Sequence, residues 1–105
     1  MDKNRPRIIC LCGSTRFLAA FREANLKETL VGKIVLSIGC DFKSDDALGL
    51  SVVDKERLDR LHLRKIDLAD DIYILNVGGY IGSSTRKEIE YAKSLNKPIE
   101  YKEDR

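Results

Sequence analysis

Short apolar runs of strand character alternate along this chain with stretches whose apolar residues recur every three or four positions. Residues 7–12 (RIICLC) are apolar and β-branched, which predicts a first strand ending at Gly13-Ser14. Residues 15–30 have helical spacing, with Phe17, Ala20, Phe21 and Ala24 on one face, and Gly32 stops the pattern. A second strand follows at residues 33–38 (KIVLSI). Residues 39–53, including Asp45-Asp46 and Gly49, read as loop and as a mobile lid. Asp54 has the character of an N-cap, with Val53 and Leu58 spaced for a hydrophobic staple, and its helix runs to about residue 70. The β-branched and aromatic run at residues 71–77 (DIYILNV) predicts a third strand. A Gly- and Ser-rich turn, a helix over residues 85–95 and a fourth strand at residues 98–101 complete the chain.

Strands alternating with helices imply parallel pairing through crossover connections. The expected fold is a small doubly wound α/β domain, flavodoxin- or Rossmann-like, with four to five parallel strands flanked by helices. It is expected to be one domain over residues 1–105. With strand order 2-1-3-4, both Gly/Ser turns fall at the switch point, at the strands' C-terminal ends, where open α/β sheets bind ligands.

Those turns carry the candidate binding chemistry. Gly13, Ser14, Thr15 and Arg16 follow the first strand, and Gly79, Tyr80, Gly82, Ser83, Ser84 and Thr85 follow the third. A small-residue turn entering a helix presents free backbone N–H groups and a positive dipole end, which suits a phosphate. Arg16 would be its charge partner. The plainer reading makes Ser14 an N-cap and Arg16 a solvated residue. Neither turn is a GxGxxG or a Walker A sequence.

Glu88 and His62 are the candidate catalytic groups. Thr85-Arg86-Lys87-Glu88 fits a capping box, in which Glu88 would only close the helix end. Helical phase instead puts Glu88 near Ile89, Ala92 and Leu95, leaning toward the sheet, while Glu90 points to solvent. His62, the sole histidine, falls with Lys65 inside the apolar stripe of Leu58, Leu61, Ile66, Leu68 and Ala69. A histidine so placed is either a core residue or an acid/base group, and Lys65 would snorkel. Asp59, Arg60, Arg64 and Asp67 lie outside the stripe, as solvated residues.

Composition narrows the function classes. Forty-three per cent apolar and 34% charged residues fit a globular chain. A net charge of +2, with acids and bases interleaved, gives no reason to expect nucleic acid. No apolar run is long enough to cross a bilayer, and residues 1–6 lack a signal-peptide core, so a cytoplasmic location is expected. Three cysteines favour a reducing compartment over a disulfide framework. Cys10 and Cys12 share one strand face, but no His or second Cys pair stands at ligand spacing in the sequence. No metal and no cofactor are therefore expected.

Taken together, Gly13-Ser14, Ala69-Asp70-Asp71-Ile72-Tyr73-Ile74, Thr85, Glu88-Ile89-Glu90-Tyr91-Ala92 and Asn96-Lys97-Pro98-Ile99 resemble the nucleoside 2-deoxyribosyltransferase family and its deoxynucleotide N-glycosidase relatives. The hallmark there is a Gly-Thr or Gly-Ser turn, two residues, then Glu-x-Gly-Tyr-Ala before a Gly-Lys-Pro strand. Cytokinin-releasing phosphoribohydrolases carry a related turn. The resemblance implies that Glu88 is a nucleophile at an anomeric carbon. It implies cleavage of the N-glycosidic bond of a (deoxy)nucleoside 5′-monophosphate, by hydrolysis or transfer. Gly82-Ser83 replace the transferases' acidic pair, which removes repulsion against a phosphate. Glu90 stands at the family's Gly, and His62 at its catalytic Asp. The chain stops short of the extension that completes a neighbouring subunit's site in the family. A homodimer is expected, with Leu63, on the charged face of its helix, near the contact. The rival from another class is a non-catalytic nucleotide-binding protein, a sensor or sequestering module of the same fold.

Overall fold

A computed structural model describes residues 5–38 and 49–104. Its centre is a four-stranded, all-parallel sheet of β1 (Ile8–Cys12), β2 (Ile34–Leu36), β3 (Asp71–Ile74) and β4 (Ile99–Tyr101), in the order β2-β1-β3-β4. Among the described residues, helices α1 (Leu18–Leu30), α2 (Val52–Leu68) and α3 (Ser83–Ser94) flank it. This is the small doubly wound architecture that the alternating periods predict. β1 is paired on both edges, with Ile9 opposite Val35 on one side and Asp71 on the other.

The two faces of β1 divide the core. Leu11 packs with Ala20, Phe21 and Ala24 of α1 and with Leu75, and Phe17 joins from the edge. Cys10 and Cys12 face the other way, against Ile66, Ala69, Ile89 and Ala92 from the second and third helices and their ends. Each large apolar side chain so withdrawn contributes about 1.5–3 kcal/mol. Pairing is reinforced where β1 meets β3. Asp70 accepts a bidentate pair from Arg5 and the Ile8 backbone N–H, which hold its carboxyl down to about 2.

Several element ends differ from those expected, for local reasons. α1 opens at Leu18 rather than at residue 15, because residues 14–17 form a turn. The Phe17 N–H donates to the Ser14 carbonyl at 3.0 Å and the Arg16 N–H to Ser14 Oγ at 3.3 Å, so Ser14 shapes the turn without capping the helix. α2 is capped by Ser51, and Asp54 is the third residue of a reciprocal capping box with it. That corrects both the Asp54 cap and the Val53–Leu58 staple. The lid expected over residues 39–53 falls on residues 39–48, which lie outside the described ones, and on the start of α2.

The apolar stripe of α2 is narrower than its sequence suggests. Only His62 and Ile66 are buried within the helix, while Leu58, Leu61 and Leu68 are exposed. Leu63, expected on an outer face, packs against the core instead. β3 stops at Ile74, and Val77–Gly79 form a 3-10 turn in which Gly78 and Gly79 have φ of 63° and 81°. Those values favour glycine. α3 ends in a Schellman arrangement with Asn96 left-handed, the Lys97 N–H reaching the Ala92 carbonyl at 3.1 Å.

Candidate functional site

A cavity of about 510 Å3 opens at the C-terminal ends of β1 and β3. One wall is the turn of Gly13, Ser14, Thr15 and Arg16, and Gly13 is glycine for a steric reason. A Cβ there would lie 3.1 Å from the Leu75 carbonyl oxygen and 3.2 Å from its Cβ. The facing wall is Tyr80 with Gly82, Ser83, Ser84 and Thr85 at the start of α3. The turns predicted to converge do so.

The walls are joined by Arg16, whose guanidinium lies 4.3 Å from the Tyr80 ring centroid with Nη2 3.4 Å from its hydroxyl. Phe17 meets the same ring edge-on at 6.0 Å. Gly82 is the N-cap of α3 and has no side chain with which to make a cap hydrogen bond. Ser83, Ser84 and Thr85 line the cavity at that helix end, where first-turn N–H groups lack partners within the helix and the dipole favours an anion.

Gly79 is the one predicted binding residue that does not line the cavity. Its N–H donates to the Asn76 carbonyl at 2.8 Å, and the Gly78 N–H is taken by the Glu103 carboxylate at 2.7 Å. These glycines build the turn and have no amide left for a ligand. Asn76 anchors the same corner, with its buried amide bonded to both the N–H and the carbonyl of Glu103.

His62 and Glu88 both line the cavity, with side chains only 7% and 13% exposed and the His62 Nε2 3.9 Å from a Glu88 carboxylate oxygen. The capping-box reading of Glu88 is corrected. With Gly82 as cap, Thr85 is the third helical residue and is itself buried, and Glu88 sits a turn further on. Burial pushes the Glu88 carboxyl up to about 7, against the opposing pull of His62. For His62, burial acts downward, but the Cys10 hydrogen bond and the Glu88 charge outweigh it and the imidazole is raised.

Behind His62 lie the two thiols of β1, both with no solvent exposure. Nε2 is 3.3 Å from Cys12 Sγ and 3.7 Å from Cys10 Sγ, so the ring is shared between them. The hydrogen bond from Cys12 draws the Cys10 thiol down to about 6, while the same bond and burial push Cys12 well up. The pair titrates as a unit, with one proton lost readily and the second with difficulty. Neither sulfur reaches the cavity, so neither can attack a molecule bound there.

Sequence spacing did not reveal this cluster, since His62 stands 50 residues from Cys12 and only the packing of α2 on β1 joins them. It also passed over Lys55 and Asp59, which line the cavity although both are half exposed. Their signal was helical phase: they precede His62 by seven and three positions on the same face. Lys65 also lines the cavity, and it does not snorkel. Its ammonium donates to the Ser37 carbonyl at 2.6 Å, tying α2 to the end of β2.

Among the described residues no helix is long and apolar enough to cross a membrane. No protein-family model matches the chain, and no curated protein matches it.

Proposed function

We propose that this chain is an N-glycosidase or (deoxy)ribosyltransferase acting on a (deoxy)nucleoside 5′-monophosphate, akin to the nucleoside 2-deoxyribosyltransferases it resembles in sequence. The observation that carries the reading is the convergence of two Gly/Ser turns on one cavity with a largely buried carboxylate, Glu88, facing it. Arg16, Ser83, Ser84 and the first-turn amides of α3 would hold the phosphate. Glu88, ionised, would attack or stabilise the anomeric carbon as the C–N bond breaks, as carboxylates do in retaining glycosidases. His62, next to it and raised, would pass a proton to the departing base or orient Glu88. Asp59 offers a second carboxylate on the same wall.

The other reading is a nucleotide binder without catalysis. A Glu88 carboxyl near 7 is only half ionised at neutral pH, which favours that rival. Incubating the protein with a panel of nucleoside 5′-monophosphates and chromatographing for free base separates them. Base release that needs Glu88 supports the glycosidase. Tight binding with no base from any nucleotide supports the binder. A cytoplasmic location and a homodimer belong to this proposal, the latter tested by sedimentation at micromolar concentration.

A further inference from the structure

We infer that Cys10, Cys12 and His62 form a binding site for a transition-metal ion, with Zn2+ as the ion that best fits two thiolates and an imidazole. The three donor atoms lie within 4.8 Å of one another, brought together from β1 and α2. Tetrahedral zinc with ordinary Zn–S and Zn–N bonds requires S···N separations of roughly 3.6 Å. The structure has 3.3 and 3.7 Å from Nε2 to the two sulfurs. Both sulfur–nitrogen separations are therefore near coordination spacing before any ion enters, and the strand's alternation fixes both sulfurs on the face that His62 covers.

The charge balance also suits the place. Cys10, Cys12 and His62 reach the ligand state by giving up about two protons to solvent between them, which leaves two thiolates and a neutral Nε2 with a free lone pair. Two thiolates then cancel the ion's two positive charges, so no net charge is left in the core. Without the ion, the two sulfurs and the ring nitrogen hold one another only through hydrogen bonds to sulfur, which are weak. Glu88, with an oxygen 3.9 Å from the same Nε2, is placed to hold a water from the cavity at the fourth position. The ion would hold His62 as a ligand and turn it from proton carrier into a group that fixes the cavity wall.

The test uses the full chain, reduced and stripped with a chelator, then titrated with Co2+ alone and afterwards with Zn2+. One equivalent of Co2+ should give the intense visible bands of a tetrahedral ion and a sulfur-to-cobalt charge-transfer band in the near ultraviolet. Two protons should be released as Co2+ binds, and Zn2+ should then displace the cobalt and bleach both bands with no further proton release. The double variant Cys10→Ala/Cys12→Ala, checked for folding by far-ultraviolet circular dichroism, should lose both bands. Cys40→Ser, which removes the third thiol, should keep them. A folded wild type that shows no thiolate band with equimolar Co2+ at 100 μM, or a double variant that keeps the spectrum, overturns the proposal. The wild-type spectrum decides even where a variant fails to fold. None of these readouts depends on base release, so this inference and the glycosidase reading fail separately.

Discussion

Nε2 of His62 and a carboxylate oxygen of Glu88 stand 3.9 Å apart across the cavity's inner wall, one from α2 and one from α3. Both side chains are nearly withdrawn from water, so each sets the other's protonation. The His62 charge favours the Glu88 anion, and Glu88 favours the imidazolium. Burial opposes both charges. A pair in that balance can exchange a proton at little cost near neutral pH, which is what acid/base chemistry at a glycosidic bond asks of it.

Replacing Glu88 with Gln tests the carboxylate without disturbing its volume. Glu88 closes no capping box, so Gln leaves the helix end intact while it removes the charge and one acceptor oxygen. Base release is expected to fall to background while nucleotide affinity, followed by thermal shift, stays within a few-fold. A Gln variant that releases base at the wild-type rate rejects the nucleophile assignment.

The same variant reads out a pH dependence with a defined sign. The Glu88 carboxyl is raised from 4.5 to about 7 in the fold. Below 4.5 it is protonated in both states and has no effect. Between 4.5 and about 7 the unfolded chain releases the proton and the folded one does not, so stability falls as pH rises. His62 is raised too and acts in the same sense, its share being lost as pH climbs through its folded value. Measured with chelator present, Glu88→Gln should match the wild type at pH 4 and exceed it by roughly 1–3 kcal/mol at pH 8. A difference that does not change between those pH values rejects the buried-carboxylate account.

His62→Ala should leave the fold largely intact and lower turnover by roughly 10²-fold or more, the usual scale for a general acid–base group. Far-ultraviolet circular dichroism and a pH–rate profile check it together. A folded variant that turns over at the wild-type rate makes His62 a core residue only.

How much of this was legible depends on the range of the signal. The 2-1-3-4 sheet, the shared face of Cys10 and Cys12, and the convergence of the turns at Gly13 and Gly82 follow from local periodicity and connection rules, and the structure has them. Boundaries failed where side chains compete for backbone groups. Asp54 looks like a cap in isolation, but Ser51, three residues earlier, takes that place and makes Asp54 its partner. Gly79 reads like a phosphate amide until Asn76 claims its N–H. Leu63 looks exposed on a helical wheel, yet α2 rolls it toward the core. The Cys10–Cys12–His62 cluster depends wholly on a contact between distant segments, which no spacing rule encodes.

Arg16 gives a test specific to phosphate. In the free protein its guanidinium rests on Tyr80 at the cavity mouth, so it contributes little to folding. If it pairs with a 5′-phosphate, Arg16→Ala should weaken monophosphate binding by roughly 10- to 100-fold, the scale of about 1.5–3 kcal/mol for a hydrogen bond to a charged group. Affinity for the unphosphorylated nucleoside should stay unchanged. Calorimetry on the two ligands decides it, and equal losses for both would assign Arg16 to the sugar or base.

Asn76 separates folding from function. Its side chain is 1% exposed and makes two bonds to one backbone unit, donating to the Glu103 carbonyl at 3.0 Å and accepting from the Glu103 N–H at 2.9 Å. That pair ties the segment after β4 to the turn that leads from β3 into α3. Asn76→Ala strands both backbone groups and should cost about 1–3 kcal/mol in urea unfolding. Asn76→Asp should cost at least as much at neutral pH. It loses the donor and sets a carboxylate against both the Glu103 carbonyl and the Glu103 side chain, which already caps the Gly78 N–H. Because Asn76 does not line the cavity, either variant should keep the wild-type rate of base release per folded molecule. An Asn76→Ala protein as stable as the wild type would show that the corner is held by the Gly78–Glu103 contact instead.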